Sequence, residues 1–184
     1  MTCPVCITST LRFADDGDRP KRLICDRCGG HWVRDRQYWS WRRAHGEDLP
    51  PKEPEPGTAP VVEDSPGAKL CPECGRILSR RRAGYGLDFI LERCPDCGGL
   101  WFDSNEWEAL ESRNLHDDVH MIFSEVWQRA RGRDESRRDH EELLAEILGV
   151  ADYATIRQFR CWLRGHPHCS TMMGYLLEGP TPEP

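Results

Sequence analysis

Long apolar runs are missing from this sequence. The best, Met172 to Leu177, falls far short of the roughly 18 residues that a membrane-crossing helix needs. A basic start followed by an apolar stretch is also missing, because Met1-Thr2-Cys3-Pro4 leads straight into a cysteine pair. Export and membrane insertion are therefore not expected, and a soluble cytoplasmic protein is. Apolar residues are scarce, 38% beside 30% charged, which excludes one large core and points to several small units that need staples to fold. Net positive charge is lacking too. The formal total is -6, and only residues 1–45 are basic by count, with nine basic and five acidic groups. Nucleic acid is accordingly expected to bind weakly at most. No set of nucleophile, base and orienting group can be assembled, so neither an enzyme nor a small-molecule substrate is expected.

What the sequence does have is cysteine. Eight of its ten cysteines form four pairs with two residues between them: Cys3 and Cys6, Cys25 and Cys28, Cys71 and Cys74, Cys94 and Cys97. The first four recur 68 or 69 positions later, and the flanks recur with them, since Cys25-Asp-Arg-Cys-Gly-Gly-His-Trp32 parallels Cys94-Pro-Asp-Cys-Gly-Gly-Leu-Trp101. In a reducing compartment such pairs mean metal-binding thiolates before disulfides. The gap between the inner cysteines is 18 residues in the first unit and 19 in the second, enough for a hairpin that brings two knuckles together.

Four thiolates suit zinc, which accepts a tetrahedron without geometric preference of its own. Two structural zinc ions are expected, one at Cys3, Cys6, Cys25 and Cys28 and one at Cys71, Cys74, Cys94 and Cys97. Iron in a rubredoxin-like site is the rival metal, and redox pairs or ordinary buried cysteines are the non-metal alternatives. Four protein thiolates leave no open position for a substrate, so the sites read as structural. With the metals counted, the first unit keeps about +2 and the second about -4.

Period-two apolar spacing marks strands at Leu11 and Phe13 before Asp16-Gly17, and at Leu87, Phe89 and Leu91 after Ala83-Gly-Tyr-Gly86. Asp103 with Glu106 three residues later forms a capping pattern for a short helix carrying Trp107 and Leu110, and Asp35 and Gly46 bracket its counterpart with Tyr38, Trp39 and Trp41. The expected architecture is two zinc ribbons, each a hairpin plus a short helix, at 1–45 and 70–114. A flexible acidic, proline-rich linker joins them at 46–69 and holds them apart as non-rigid units. A small helical region follows at 115–184. In it, Leu115, Val119, Ile122, Phe123, Val126, Trp127 and Ala130 share one face, a charged break falls at 131–139, Gly149 stops a helix, and Asp152 caps another that runs to Gly165.

At these residues the chain resembles the bacterial transcription factor zinc-finger family, named for its likeness to the zinc ribbon of transcription factor IIB. The second unit carries the closer likeness, through Cys71-Pro-Glu-Cys74, Cys94-Pro-Asp-Cys-Gly-Gly-Leu-Trp-Phe-Asp103 and Glu106. The first unit departs from the pattern at Val33 and Arg34 and has no glutamate at the matching place. The resemblance implies two copies of the family's zinc unit and a transcription-associated role.

Trp32 and Trp101 read as lids of miniature cores before base-stacking platforms. The arginine runs Arg80-Arg81-Arg82 and Arg129 to Arg138 read as solvated, salt-bridged surface before phosphate grips. Cys161, His166, His168 and Cys169 are ligand types crowded into nine residues. Their spacing suits a tetrahedron poorly, and the competing reading is a helix-ending loop. The function expected is a non-catalytic, zinc-dependent adaptor or regulator acting through a protein partner. Direct nucleic-acid binding through the first ribbon is the first alternative, and a thiol-handling or assembly factor is the second.

Overall fold

The computed structural model describes residues 1–46, 50, 52 and 60–177. Its centre is one antiparallel sheet built from both cysteine units. The first unit supplies β1 (Arg12–Ala14), β2 (Arg22–Ile24) and β3 (His31–Val33), followed by α1 (Asp35–His45). The second supplies β4 (Ser79–Gly84), β5 (Leu87–Arg93) and β6 (Leu100–Phe102), followed by α2 (Glu106–Glu111). The strand order is β1-β2-β3-β6-β5-β4, so the units meet at β3 and β6, where His31, Trp32 and Val33 pair with Phe102, Trp101 and Leu100.

This pairing overturns the expectation of non-rigid units, since Met1–Arg131 form one compact body. A three-residue strand that ends a small unit exposes unpaired N–H and C=O groups, and the equivalent strand of the other unit satisfies them.

Side chains alternate across the sheet. On one face lie Trp32 and Trp101 with Leu11, Leu78 and the buried cysteines. On the other, Val33, Leu100, Phe102, Phe89 and Leu91 pack with Tyr38 and Trp41 of α1 and with Trp107 and Leu110 of α2. Leu87, Phe89 and Leu91 are buried as their alternation requires, but Phe13 is 61% exposed although Leu11 is buried.

The central interlock is reciprocal. A Cβ placed on Gly30 would lie 2.4 Å from Trp101 Cζ2, and one on Gly99 would lie 2.1 Å from Trp32 Cζ2. The second glycine of each Cys-Gly-Gly run is thus the floor on which the other unit's indole rests. Polar ties join the units as well. Arg19 bonds Glu108 and Glu111, and Arg34 pairs with Glu73.

Of the expected linker, residues 47–49, 51 and 53–59 lie outside the described residues. Its described end is docked on the second unit. The Ser65 amide and hydroxyl donate to Asp103 Oδ2, Asn105 Nδ2 donates to the Val61 carbonyl, and Val62 packs against the core.

Leu115, Val119 and Ile122 also belong to the core of the first body, through the short α3 (Val119–Ile122). α4 (Glu125–Leu148) begins there, with Trp127 Nε1 donating to the Ala83 carbonyl. α4 passes through 131–139 without the expected break. Arginine and glutamate are good helix formers, and the pairs Arg129–Glu125 and Arg137–Asp134 brace its surface. Val126 is 72% exposed rather than part of the buried face.

A second compact body runs from Gly132 onward. Gly149, with φ +80°, separates α4 from α5 (Val150–Arg164), and Gly165 follows α5. Asp152 lies in the first turn of α5 rather than capping it. α6 (Cys169–Leu177) was not expected from the pattern. Among the described residues no helix is long and apolar enough to cross a membrane.

Candidate metal centres

Each tetrad is built by two tight turns whose amides point inward. The amides of Ile7, Gly29, Gly75 and Gly98 donate to the carbonyls of Cys3, Cys25, Cys71 and Cys94 at 2.9 to 3.0 Å. Those of Cys6, Cys74 and Cys97 donate to the sulfurs of Cys3, Cys71 and Cys94 at 3.3 to 3.5 Å. The residue after the second cysteine must turn left-handed, with φ of +73° at Gly29, +70° at Gly75 and +74° at Gly98. In the remaining turn this place is held by Ile7, with φ +62°.

A β-branched residue is strained in that conformation, by about 1–2 kcal/mol. Ile7→Gly removes the strain and restores part of the cost through the freer unfolded chain. It is expected to stabilise the metal-loaded protein by ~1 kcal/mol, read from the urea midpoint at unchanged slope. Ile7 is 75% exposed, so little packing is lost.

The sulfurs converge. Cys3 and Cys28 lie 3.7 Å apart, Cys6 and Cys25 3.9 Å, Cys71 and Cys97 3.6 Å, and Cys74 and Cys94 3.4 Å. Within each tetrad all four sulfurs fall within 4.8 Å of one another. A tetrahedron with metal–sulfur bonds of about 2.3 Å has edges of about 3.8 Å, so both tetrads fit a divalent ion of that size.

The titration of the thiols points the same way. Burial opposes ionisation of Cys25 and Cys94, yet backbone amides and neighbouring sulfurs bring both down to about 7. Burial pushes Cys28 and Cys71 well up, and their sulfur neighbours add to the effect. Four thiolates in one tetrad therefore need a dication among them.

The structure also separates the two tryptophans. Trp101 Nε1 donates to Asp103 Oδ1 at 2.7 Å, whereas Trp32 Nε1 is buried without an acceptor. Arg34 stands 69 positions before Asp103, where the acceptor would be. Both indoles are fully buried, as lids of a core are.

The capping pattern at α2 is half made. Glu106 Oε2 accepts from the Asp103 amide at 2.8 Å, but the Asp103 side chain turns instead to Trp101, Ser65 and Lys69. Asp103 thereby joins a buried polar cluster that the sequence did not disclose, with Asp64, Lys69, Glu92 and Glu106. The signal available was an acid and a lysine at the docked end of an otherwise solvated-looking segment. In the C-terminal unit, Cys161 and Cys169 are free thiols, and no three of Cys161, His166, His168 and Cys169 are brought within metal-holding distance among the described residues.

Comparison with known proteins yields one family match. The model of the transcription factor zinc-finger family matches residues 70–113, which hold the second tetrad, β4 to β6 and α2. No curated protein matches, and no solved structure matches.

Proposed function

We propose that the protein is a zinc-binding, non-catalytic adaptor whose two tetrads are structural zinc ribbons, the first being a second copy of the unit that the family match covers. The observation that carries this reading is the convergence of four cysteine sulfurs in each tetrad, two of the four buried and the turns braced by backbone amides. Such a centre supplies folding energy and leaves no coordination position for a substrate. The metal fixes the knuckles, and the sheet between them presents a rigid surface to a macromolecular partner. A protein partner in the cytoplasm is the reading favoured here, with a transcription-associated role suggested by the family's name.

The arginines argue against nucleic acid as that partner. Arg80 lies 3.3 Å from Glu92, Arg82 2.7 Å from Asp88 and Arg129 2.7 Å from Glu125, while Arg42 donates to the Asp117 carbonyl. A guanidinium already facing a carboxylate releases fewer counterions when a phosphate approaches. Random duplex DNA is therefore expected to bind more weakly than the ~10⁻⁴–10⁻⁶ M usual for non-specific binders at physiological salt. Fluorescence anisotropy of labelled DNA across several salt concentrations measures this. Micromolar binding with a steep salt slope, lost on neutralising Arg80, Arg81 and Arg82, would replace the adaptor reading by direct nucleic-acid recognition.

A further inference from the structure

Beyond the two cysteine tetrads, the described residues contain one other cluster able to hold a cation: Asp64, Asp103 and Glu106, each with a carboxylate oxygen within 4.8 Å of the others. Two of the three are shielded from solvent, and Asp64 is half-buried with its Oδ1 covered. Glu106 is fully buried and Asp103 nearly so. Glu106 Oε2 is occupied by the Asp103 amide, but Glu106 Oε1 and Asp64 Oδ1 are buried with no hydrogen-bond partner.

The local charges do not balance either. The four carboxyl groups of Asp64, Glu92, Asp103 and Glu106 face two cations, Lys69 at 2.5 Å from Glu92 and 3.1 Å from Asp103, and Arg80 at 3.3 Å from Glu92, and burial raises Glu92 to about 7. With all four ionised the cluster would want two positive charges, in a region where unpaired charge is costly.

We propose that Asp64, Asp103 and Glu106 bind one hard divalent cation, calcium or magnesium, which clasps the segment before the second tetrad onto the turn leading into α2. An all-oxygen donor set selects such an ion over zinc, which the thiolates take. Its two charges complement the cluster, and its bonds fill the orphaned oxygens of Asp64 and Glu106. Lys69 and Ser65 of the docked strap, residues 60–69, hold Asp103 Oδ2, leaving Asp103 Oδ1, shared with the Trp101 indole, to face the ion. Asp64 is the one ligand that comes from the end of the proline-rich segment, so the cation ties that segment to the turn before α2, across the second tetrad and β4 to β6. This proposal is independent of the metal at the tetrads.

The rival occupant is a proton. Burial, with Asp103 and Glu92 close by, raises Glu106 well above the usual carboxylate range. A group raised in this way favours the folded state below its ordinary value, and that contribution is lost as pH rises through the raised one. The two occupants thus give opposite responses to pH in the presence of added cation.

The test uses the full-length, zinc-loaded chain and terbium as the probe, because Trp101 is hydrogen-bonded to a proposed ligand and can sensitise a lanthanide there. Indole excitation is expected to give saturable terbium emission, displaced by calcium or magnesium, and the ion effective at the lower concentration identifies the occupant. Glu106→Gln and Asp64→Asn are each expected to weaken terbium binding at least tenfold. Calcium or magnesium should raise the melting temperature of the unaltered chain, increasingly as pH rises, and leave both variants unmoved. Asp64→Asn, which changes a strap residue rather than a fully buried one, keeps the test decisive if Glu106→Gln does not fold. Terbium binding unchanged in both variants would overturn the proposal. So would a melting temperature that ignores millimolar calcium and magnesium while falling with rising pH in the unaltered chain but not in Glu106→Gln.

Discussion

Cys94→Ser is expected to abolish amide-exchange protection across Met1–Arg131, in the first cysteine unit as well as the second. The magnitudes decide this. A structural zinc site in a small unit contributes on the order of 10 kcal/mol or more of folding free energy, whereas whole domains are stable by only about 5–15 kcal/mol. Loss of one tetrad therefore consumes the margin of whatever body it belongs to. That body includes both units, because β3 and β6 are paired and Trp32 and Trp101 each lie on the other unit's glycine. Segment-resolved hydrogen exchange distinguishes the outcomes. Protection lost only over residues 70–113, with β1 to β3 still protected, would mean that the sheet is not the cooperative unit.

Gly99→Ala carries the second large effect. The added methyl would lie 2.1 Å from Cζ2, 2.6 Å from Cη2 and 2.8 Å from Cε2 of Trp32. All three distances are far inside contact, and the indole is fully buried with nowhere to retreat. Overpacking of a closed core costs about 1–3 kcal/mol and more where the neighbour is caged, so a loss of ~3 kcal/mol or more is expected from chemical denaturation. The accompanying signature is remote in sequence. Trp32 and its strand neighbours should show the largest spectral change, although the substitution lies 67 positions away. A change confined to the residues around position 99 would contradict the interlock.

These two expectations rest on features that the sequence disclosed unequally. The tetrads were legible because ligand spacing is local: two Cys-x-x-Cys turns and a hairpin-length gap suffice to bring four sulfurs together. The pairing of Glu106 with Asp103 was half legible, since a three-residue offset fixes reach but not which way the aspartate turns. The burial of Trp32 and Trp101 followed from their size, and their exchange between units did not. His31–Val33 and Leu100–Phe102 are too short to show a period, and pairing between units separated by a proline-rich stretch leaves no local mark. Repetition of Cys-Gly-Gly-x-Trp was the trace available, because a glycine with no Cβ admits a close neighbour. The docking of Ser65 and Val61 was hidden by composition, since polar contacts to Asp103 and Asn105 make no apolar pattern. The continuity of α4 was hidden in the same way, because charge along a helix surface looks like a break until its i,i+4 pairing is known.

Each tetrad is proposed to hold one zinc ion through four thiolates. X-ray absorption at the zinc edge, combined with elemental analysis of the full-length chain, tests it most directly. The expected result is two zinc ions per chain, each with four sulfur neighbours at about 2.3 Å and no nitrogen or oxygen ligand. One zinc per chain, a mixed sulfur and nitrogen shell, or iron in protein taken from its native cells would contradict it.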